Sequence, residues 1–218
     1  GLNENMPEAV ALLEKLLADA QVNKPAFNGM VNNILKSRAN AKLNQSQNFS
    51  RLTAYAQWGP QNDATNLLSA KELMGMNPQD LVDRIHNLCT YKHRIIYYGP
   101  SNENDVLAML DKEHRTPDTI KDVPASVEFK QQITDETKVF LAPYYAKQIY
   151  MSQISSRGDT FDLGIEPARQ LYVEYFGGGM ISIVFQEMRE SRGLAYSAGA
   201  TLAKPADLEQ NYIFRSQI

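Results

Sequence analysis

The segment Tyr175–Ser197 reads YFGGGMISIVFQEMRESRGLAYS, and its pattern decides the predicted fold. Three consecutive glycines, Gly177 to Gly179, predict a tight turn between two helices. The apolar residues that follow recur at helical spacing and predict a helix over residues 180–192, with one face packed on a sheet: Ile181, Val184, Phe185 and Met188. Gly193 stands where a left-handed residue commonly ends a helix.

Two residues of this segment are candidates for chemistry. Arg189 lies at the flank of the apolar helix face, and Tyr196 falls in an alternating stretch, residues 194–203, that predicts a strand. Tyr196 is the one large residue with a polar tip among small neighbours, so its hydroxyl is expected to project into open space. Arg192 is explained as a cation near the C-terminal end of the helix. Taken alone, an Arg and a Tyr seven residues apart, such as Arg189 and Tyr196, are more often structural than functional.

The rest of the sequence predicts helices first and antiparallel strands later. Amphipathic periodicity predicts helices over residues 7–22, from 24 onward, and over 48–57, 63–74, 78–89, 102–114 and 167–176. The run HRIIYYGP, residues 93–100, predicts a buried strand because it is β-branched and aromatic and ends in Gly-Pro. KVFLAPYY and KQIYMSQISSRG predict an antiparallel pair, and a last strand is expected from Gln210. The predicted fold class is α+β, with helices packed on an antiparallel sheet.

Residues 116–135 contain two prolines and many charges without sustained periodicity, which is typical of a linker. We therefore expect a largely helical part over residues 1–115 and a second part over residues 136–218. The sequence begins at Gly1 and ends in YIFRSQI without a turn signal. Both features lead us to expect a piece of a longer protein.

Composition narrows the classes of function. A formal net charge of −3 gives no general attraction to phosphate backbones, so nucleic acid is not an expected partner. The single cysteine, Cys89, cannot form an internal disulfide and is expected in the core. The sequence has no run of about 18 apolar residues, so no membrane span is expected. The compartment stays open, because bacterial cytoplasm and periplasm are both compatible.

The segment YFGGGMISIVFQEMRESRGLAYS closely resembles a segment of the insulinase-like zinc metallopeptidases, the family of pitrilysin and the mitochondrial processing peptidase. In that family a glycine-rich turn precedes a helix that carries an Arg, and a Tyr follows seven positions later, which matches Arg189 and Tyr196. The resemblance extends more weakly to the rest of the chain. It implies the second half of one insulinase-like domain, residues 1–115, joined to the first half of the next, residues 136–218.

The resemblance also implies a role for the pair. In the family, such an Arg and Tyr bind the carbonyl groups of a peptide substrate opposite a zinc ion held by another domain. Arg189 and Tyr196 are thus the expected catalytic and substrate-binding residues. The implied partners are a peptide and an N-terminal zinc-binding domain of the same protein or of a partner subunit.

The zinc motif of that family, H-x-x-E-H, is absent from the sequence. Glu113 and His114 match its end, but Leu110 stands at the position of the first histidine. His86 lies in a predicted helix and His93 at the start of a predicted strand, both without a partnering carboxylate cluster. They are expected to be structural or exposed to solvent. We therefore expect this fragment to bind no metal and to be inactive alone, as part of a zinc metalloendopeptidase. The alternative is a catalytically silent scaffold or assembly subunit of the same family.

Overall fold

The computed structural model describes residues 1–206 and 208–218 of the chain. The chain divides into two compact units, and the units do not follow sequence order. The first consists of Gly1–Lys36 and Leu68–Val127, and the second of Ser37–Leu67 and Glu128–Ile218. The predicted division at residues 116–135 stays a prediction.

The first unit is built mainly from helices. They are α1 (Met6–Ala18), the first part of α2 (Lys24–Ala41), α4 (Ala70–Gly75), α5 (Pro78–Asn87) and α6 (Glu103–Glu113). Helix α1 packs against α5 and α6. Short side chains accept hydrogen bonds from the first free backbone N–H groups of these helices: Asn77 caps α5 and Asn102 caps α6. The predicted start of a helix at Asn77-Pro78 is confirmed.

The helix predicted over residues 63–74 is mostly wrong, because α4 begins only at Ala70. Asn62 is buried and organises a turn in front of it. Its side-chain N–H donates to the carbonyl of Gly59 at 2.7 Å, and its Oδ1 accepts from the N–H of Ala64 at 3.0 Å. These bonds offer the backbone an alternative to helical hydrogen bonds.

The buried strand predicted at residues 93–100 is also wrong. An isolated parallel bridge joins Tyr91 to Lys121 just before it, and Ile96 and Tyr98 are exposed. A strand needs a partner along its length, and the described residues place none beside this run. The run 93–100 is held by a side-chain hydrogen bond instead: the hydroxyl of Tyr97 donates to Asn3 Oδ1 at 2.6 Å.

The second unit contains helix α3 (Gln45–Trp58), which ends at Gly59 with a φ of 78°, as the Gly-Pro pair predicts. Its sheet has three antiparallel strands in the order β1-β3-β2. They are β1 (Ser152–Ser155), β2 (Gly199–Ala203) and β3 (Ile213–Gln217). Over the described residues the chain is rich in helices and has one small antiparallel sheet, so the predicted class α+β is confirmed.

The predicted pairing of KVFLAPYY with KQIYMSQISSRG is wrong. Strand β1 lies in the second of these runs, but it pairs with β3 from the end of the chain. The first run forms no strand and is held by side chains. The ring of Phe140 meets Tyr55 edge to face, and the hydroxyl of Tyr144 donates to the carbonyl of Leu43 at 2.6 Å.

Helix α7 (Glu166–Phe176), the glycine turn and helix α8 (Ile183–Phe185) follow one another, and a π-helical turn (Gln186–Ser191) continues α8. The predicted turn between helices is confirmed. Gly177 lies against the backbone of Ala200 in β2, whose N–H donates to the Gly177 carbonyl at 3.3 Å. A Cβ on Gly178 would lie 2.9 Å from the Val173 carbonyl oxygen. The turn therefore requires glycine where it touches its neighbours.

Helix α7 is joined to the sheet by a buried carboxylate. Glu166 accepts hydrogen bonds from the Arg169 guanidinium at 3.0 and 3.1 Å and from the Tyr212 hydroxyl at 2.7 Å. Arg169 also donates to the carbonyl of Leu202 in β2 at 2.8 Å. The bonds from Arg169 and then Tyr212 hold the pKa of Glu166 below its ordinary value.

None of the described helices is both long enough and apolar enough to span a bilayer.

We predict that Gly177→Ala destabilises the second unit by roughly 1–3 kcal/mol, because the added methyl group would overlap the Ala200 backbone. Gly179→Ala is the matched control, since its added Cβ meets nothing within 4 Å. Urea unfolding followed by circular dichroism measures both variants. Equal midpoints for the two would contradict the close approach.

We predict that Glu166 makes the free energy of unfolding depend on pH in the acid range. Because the pKa of Glu166 is lower in the folded chain, the stabilisation that its carboxylate provides is fully present above the unfolded pKa, about 4.3. This stabilisation is lost as pH falls through the folded pKa. The urea midpoint of the wild-type chain should therefore fall more steeply below about pH 4.3 than that of Glu166→Gln. If the urea midpoints of the two proteins fell in parallel as pH is lowered, Glu166 would not be the cause of the pH dependence.

Candidate functional site

The backbone after the glycine turn fixes the position of Arg189. Ser182 is fully buried and caps α8 by accepting from the N–H of Phe185, while the Gln186 side chain donates to the Met180 carbonyl at 2.6 Å. Residues Gln186–Ser191 then widen into a π-helical turn. Such turns are rare and often accompany functional sites.

Arg189 lies against two aromatic rings. Its Cζ atom is 4.8 Å from the centroid of Phe185 and 4.6 Å from the centroid of Tyr196. Both distances are within the range of a cation–π contact. The guanidinium Nε is 3.5 Å from Glu190 Oε1, and the Arg189 side chain is 35% exposed. The structure thus brings Arg189 and Tyr196 together.

Tyr196 does not lie in a strand, as the sequence pattern had predicted. Strand β2 begins at Gly199, and residues 194–198 form an irregular connection from Gly193. Tyr196 is 85% exposed, and within the part of the chain that the structure describes its hydroxyl has no hydrogen-bond partner. The exposed hydroxyl is available to donate to a ligand.

The neighbouring residues end the helix. Gly193 has a φ of 57° and donates to the Arg189 carbonyl at 3.0 Å, which confirms the predicted left-handed position. Arg192 forms an ion pair with Glu187 at 3.3 Å. Ile181 is exposed, so it does not share the half-buried face of Val184 and Met188. It lies before the first turn of α8, in the loop that the glycines begin.

Phe185 is a member of the site that the sequence did not reveal. The sequence pattern assigns its ring only to the apolar face of the helix. In the structure the ring also contacts the guanidinium of Arg189, four positions later in the chain. An aromatic residue four positions before an arginine on a helix is the signal that points to such a contact.

The described residues do not fit the zinc site that the family resemblance would require. Leu110 occupies the position of the first histidine, and no group of three or more His, Cys, Asp or Glu side chains is placed to hold a metal within residues 1–206 and 208–218. His86 is bonded through Nε2 to the Ala20 carbonyl at 3.0 Å. Zinc ligands for peptide hydrolysis would have to come from other chain segments.

No protein-family model matches the sequence, and no curated protein matches it. A similar fold is found in a solved structure described as "The crystal structure of a protease from Helicobacter pylori", with a TM-score of 0.66 and 12% sequence identity. The match covers 99% of this chain and 52% of that one, so this chain spans about half the length of that protein. At this identity the similarity concerns the fold.

We predict that Arg189 and Tyr196 stabilise each other by about 0.5–1 kcal/mol, the value of an exposed cation–π contact. A double-mutant cycle with Arg189→Met and Tyr196→Leu, measured by urea unfolding, isolates this coupling. Tyr196→Phe is the control, since it keeps the ring and should keep the coupling with Arg189. A coupling of zero would mean that the two side chains do not stack in solution.

Proposed function

We propose that the chain is part of an insulinase-like zinc peptidase and that Arg189 and Tyr196 bind the carbonyl groups of its peptide substrate. The observation that carries the proposal is the stacking of the Arg189 guanidinium 4.6 Å from the Tyr196 ring. It lies in a glycine-rich context that resembles that family. The solved structure with a similar fold is described as a protease.

The two side chains have the chemistry that this role needs. A guanidinium carries five N–H donors and no acceptor, and a phenol contributes one O–H donor. Peptide carbonyl oxygens are acceptors, and one of them becomes a tetrahedral oxyanion during hydrolysis. Donors fixed where that charge develops lower the barrier. Tyr196 donates to this oxygen, and Arg189 binds neighbouring carbonyls of the extended substrate and supports the ring.

This part of the enzyme supplies recognition and no metal ligand for the reaction. Zinc is held by an N-terminal domain of the same protein or by a partner subunit, which also closes the site around the substrate. The 218-residue chain alone is therefore inactive.

We predict that Tyr196→Phe in the complete protein lowers kcat by about 10²–10³-fold, because one donor to the oxyanion is lost. Peptide hydrolysis under saturating substrate measures the effect. Tyr175→Phe is the matched control, since its ring is exposed on α7 and the proposal gives its hydroxyl no role. Arg189→Gln should mainly raise KM, whereas Arg192→Gln should leave it unchanged.

Unaltered hydrolysis in a correctly folded Tyr196→Phe protein would contradict the role of the hydroxyl. A complete, folded wild-type protein that hydrolyses no peptide, with or without added zinc, would favour the catalytically silent scaffold. The two outcomes are distinguishable, because only the second concerns the wild-type protein.

A further inference from the structure

The first unit places two imidazole rings head to head. The Nε2 atoms of His93 and His114 are 2.8 Å apart, and their ring centroids are 4.9 Å apart at an interplanar angle of 84°. His93 follows the bridge between Tyr91 and Lys121, and His114 caps the end of α6. Two of the three histidines in the sequence thus meet at one point.

The other nitrogen of each ring has an acceptor as its partner. His93 Nδ1 lies 2.8 Å from the backbone carbonyl oxygen of Tyr91, which can only accept. His114 Nδ1 lies 2.6 Å from Glu14 Oε1, a carboxylate that accepts when ionised. These partners place a hydrogen on both Nδ1 atoms.

A neutral imidazole carries one hydrogen, so two neutral rings with Nδ1–H groups have bare lone pairs on Nε2. Here those lone pairs face each other at 2.8 Å, which is repulsive unless a cation lies between them. Histidines that bind metal ions have this arrangement: one nitrogen faces the metal and the other donates to a carboxylate or backbone carbonyl. Both kinds of outer partner are present, Glu14 for His114 and Tyr91 for His93.

We propose that His93 and His114 bind a divalent transition metal ion, such as Zn²⁺, Ni²⁺ or Cu²⁺, through their Nε2 atoms. Imidazole is a preferred ligand of these ions. Glu14 and the Tyr91 carbonyl orient the two rings, and water completes the coordination. The site contains only two protein ligands within the described residues, so it differs from a closed structural zinc site.

The rings must rearrange to accept the ion. Zinc–nitrogen bonds are about 2.0–2.1 Å, so two nitrogens on a tetrahedral ion are roughly 3.4 Å apart. The two Nε2 atoms, now 2.8 Å apart and facing each other, must therefore separate by about half an ångström, and the rings must turn so that both lone pairs point at the ion. His114 and Glu14 are held by the packing of α6 on α1, with side chains 18% and 14% exposed. His93 is exposed and can make this movement.

The proposed site is independent of the peptidase function, because it lies in the other unit from Arg189 and Tyr196 and does not use H-x-x-E-H. It changes the expectation that His93 is merely structural or exposed to solvent.

Metal titration of the 218-residue chain tests this proposal. Calorimetry with Zn²⁺ and Co²⁺ absorption at about pH 7.5, where free imidazole is mostly neutral, should give one saturable site per chain. Nitrogen NMR of the wild-type imidazoles should show that Zn²⁺ perturbs Nε2 of both rings and leaves both Nδ1 atoms protonated. This second readout does not depend on the folding of any variant.

Matched variants separate this site from other binding. His93→Gln and His114→Gln should abolish saturable binding, and Glu14→Gln should weaken it by about 10–100-fold through loss of the outer partner. His86→Gln is the control and should bind as the wild type does, since this histidine contacts Ala20 instead.

Absence of saturable binding by the wild-type chain would overturn the proposal and would leave a shared proton as the cation between the rings. Equal loss of binding in His86→Gln, or wild-type affinity in His93→Gln, would also overturn it.

Discussion

The second unit depends on one carboxylate. Glu166 begins α7, and its two oxygens accept hydrogen bonds from Arg169 on the same helix and from Tyr212, the residue before β3. Arg169 donates in turn to β2. A buried charge is costly unless donors surround it, and removing Glu166 takes one acceptor away from both Arg169 and Tyr212. The helix is thereby fixed to both neighbouring strands at its N-terminal end.

The C-terminal end of α7 is also held by packing against the sheet. The helix ends against β2, where Gly177 and Ala200 approach so closely that a Cβ has no room. The chain must then turn within three glycines, and α8 begins from the buried cap Ser182. The π-helical turn follows directly and carries Arg189 to the rings of Phe185 and Tyr196. Backbone packing in the sheet thus places the exposed side chains of the candidate site.

Features that depend on a few neighbouring residues could be predicted from the sequence. The cap at Asn77, the end of α3 at Gly59 and the left-handed Gly193 each follow from local chemistry. Strands were predicted less well, because a strand depends on the segment beside it. HRIIYYGP and KVFLAPYY have strand-forming residues, but the described chain places no partner along them. The meeting of His93, His114 and Glu14 was equally invisible, because no sequence signal joins three distant segments.

The candidate site could be predicted in part. The sequence singled out Arg189 and Tyr196, but it placed the tyrosine in a strand, where its ring would stand perpendicular to the sheet. In the structure Tyr196 lies in the connection before β2, and this irregular backbone allows its ring to turn onto the guanidinium. The resulting group consists of hydrogen-bond donors, because the Arg189 side chain accepts nothing and the Tyr196 hydroxyl is free to donate. A cluster of this kind favours negative charge and carbonyl oxygen, and the carboxylate beside it, that of Glu190, lies against the Arg189 guanidinium. Under the proposed function, recognition and activation of the attacking water are therefore divided between this chain and the part of the enzyme that holds the metal.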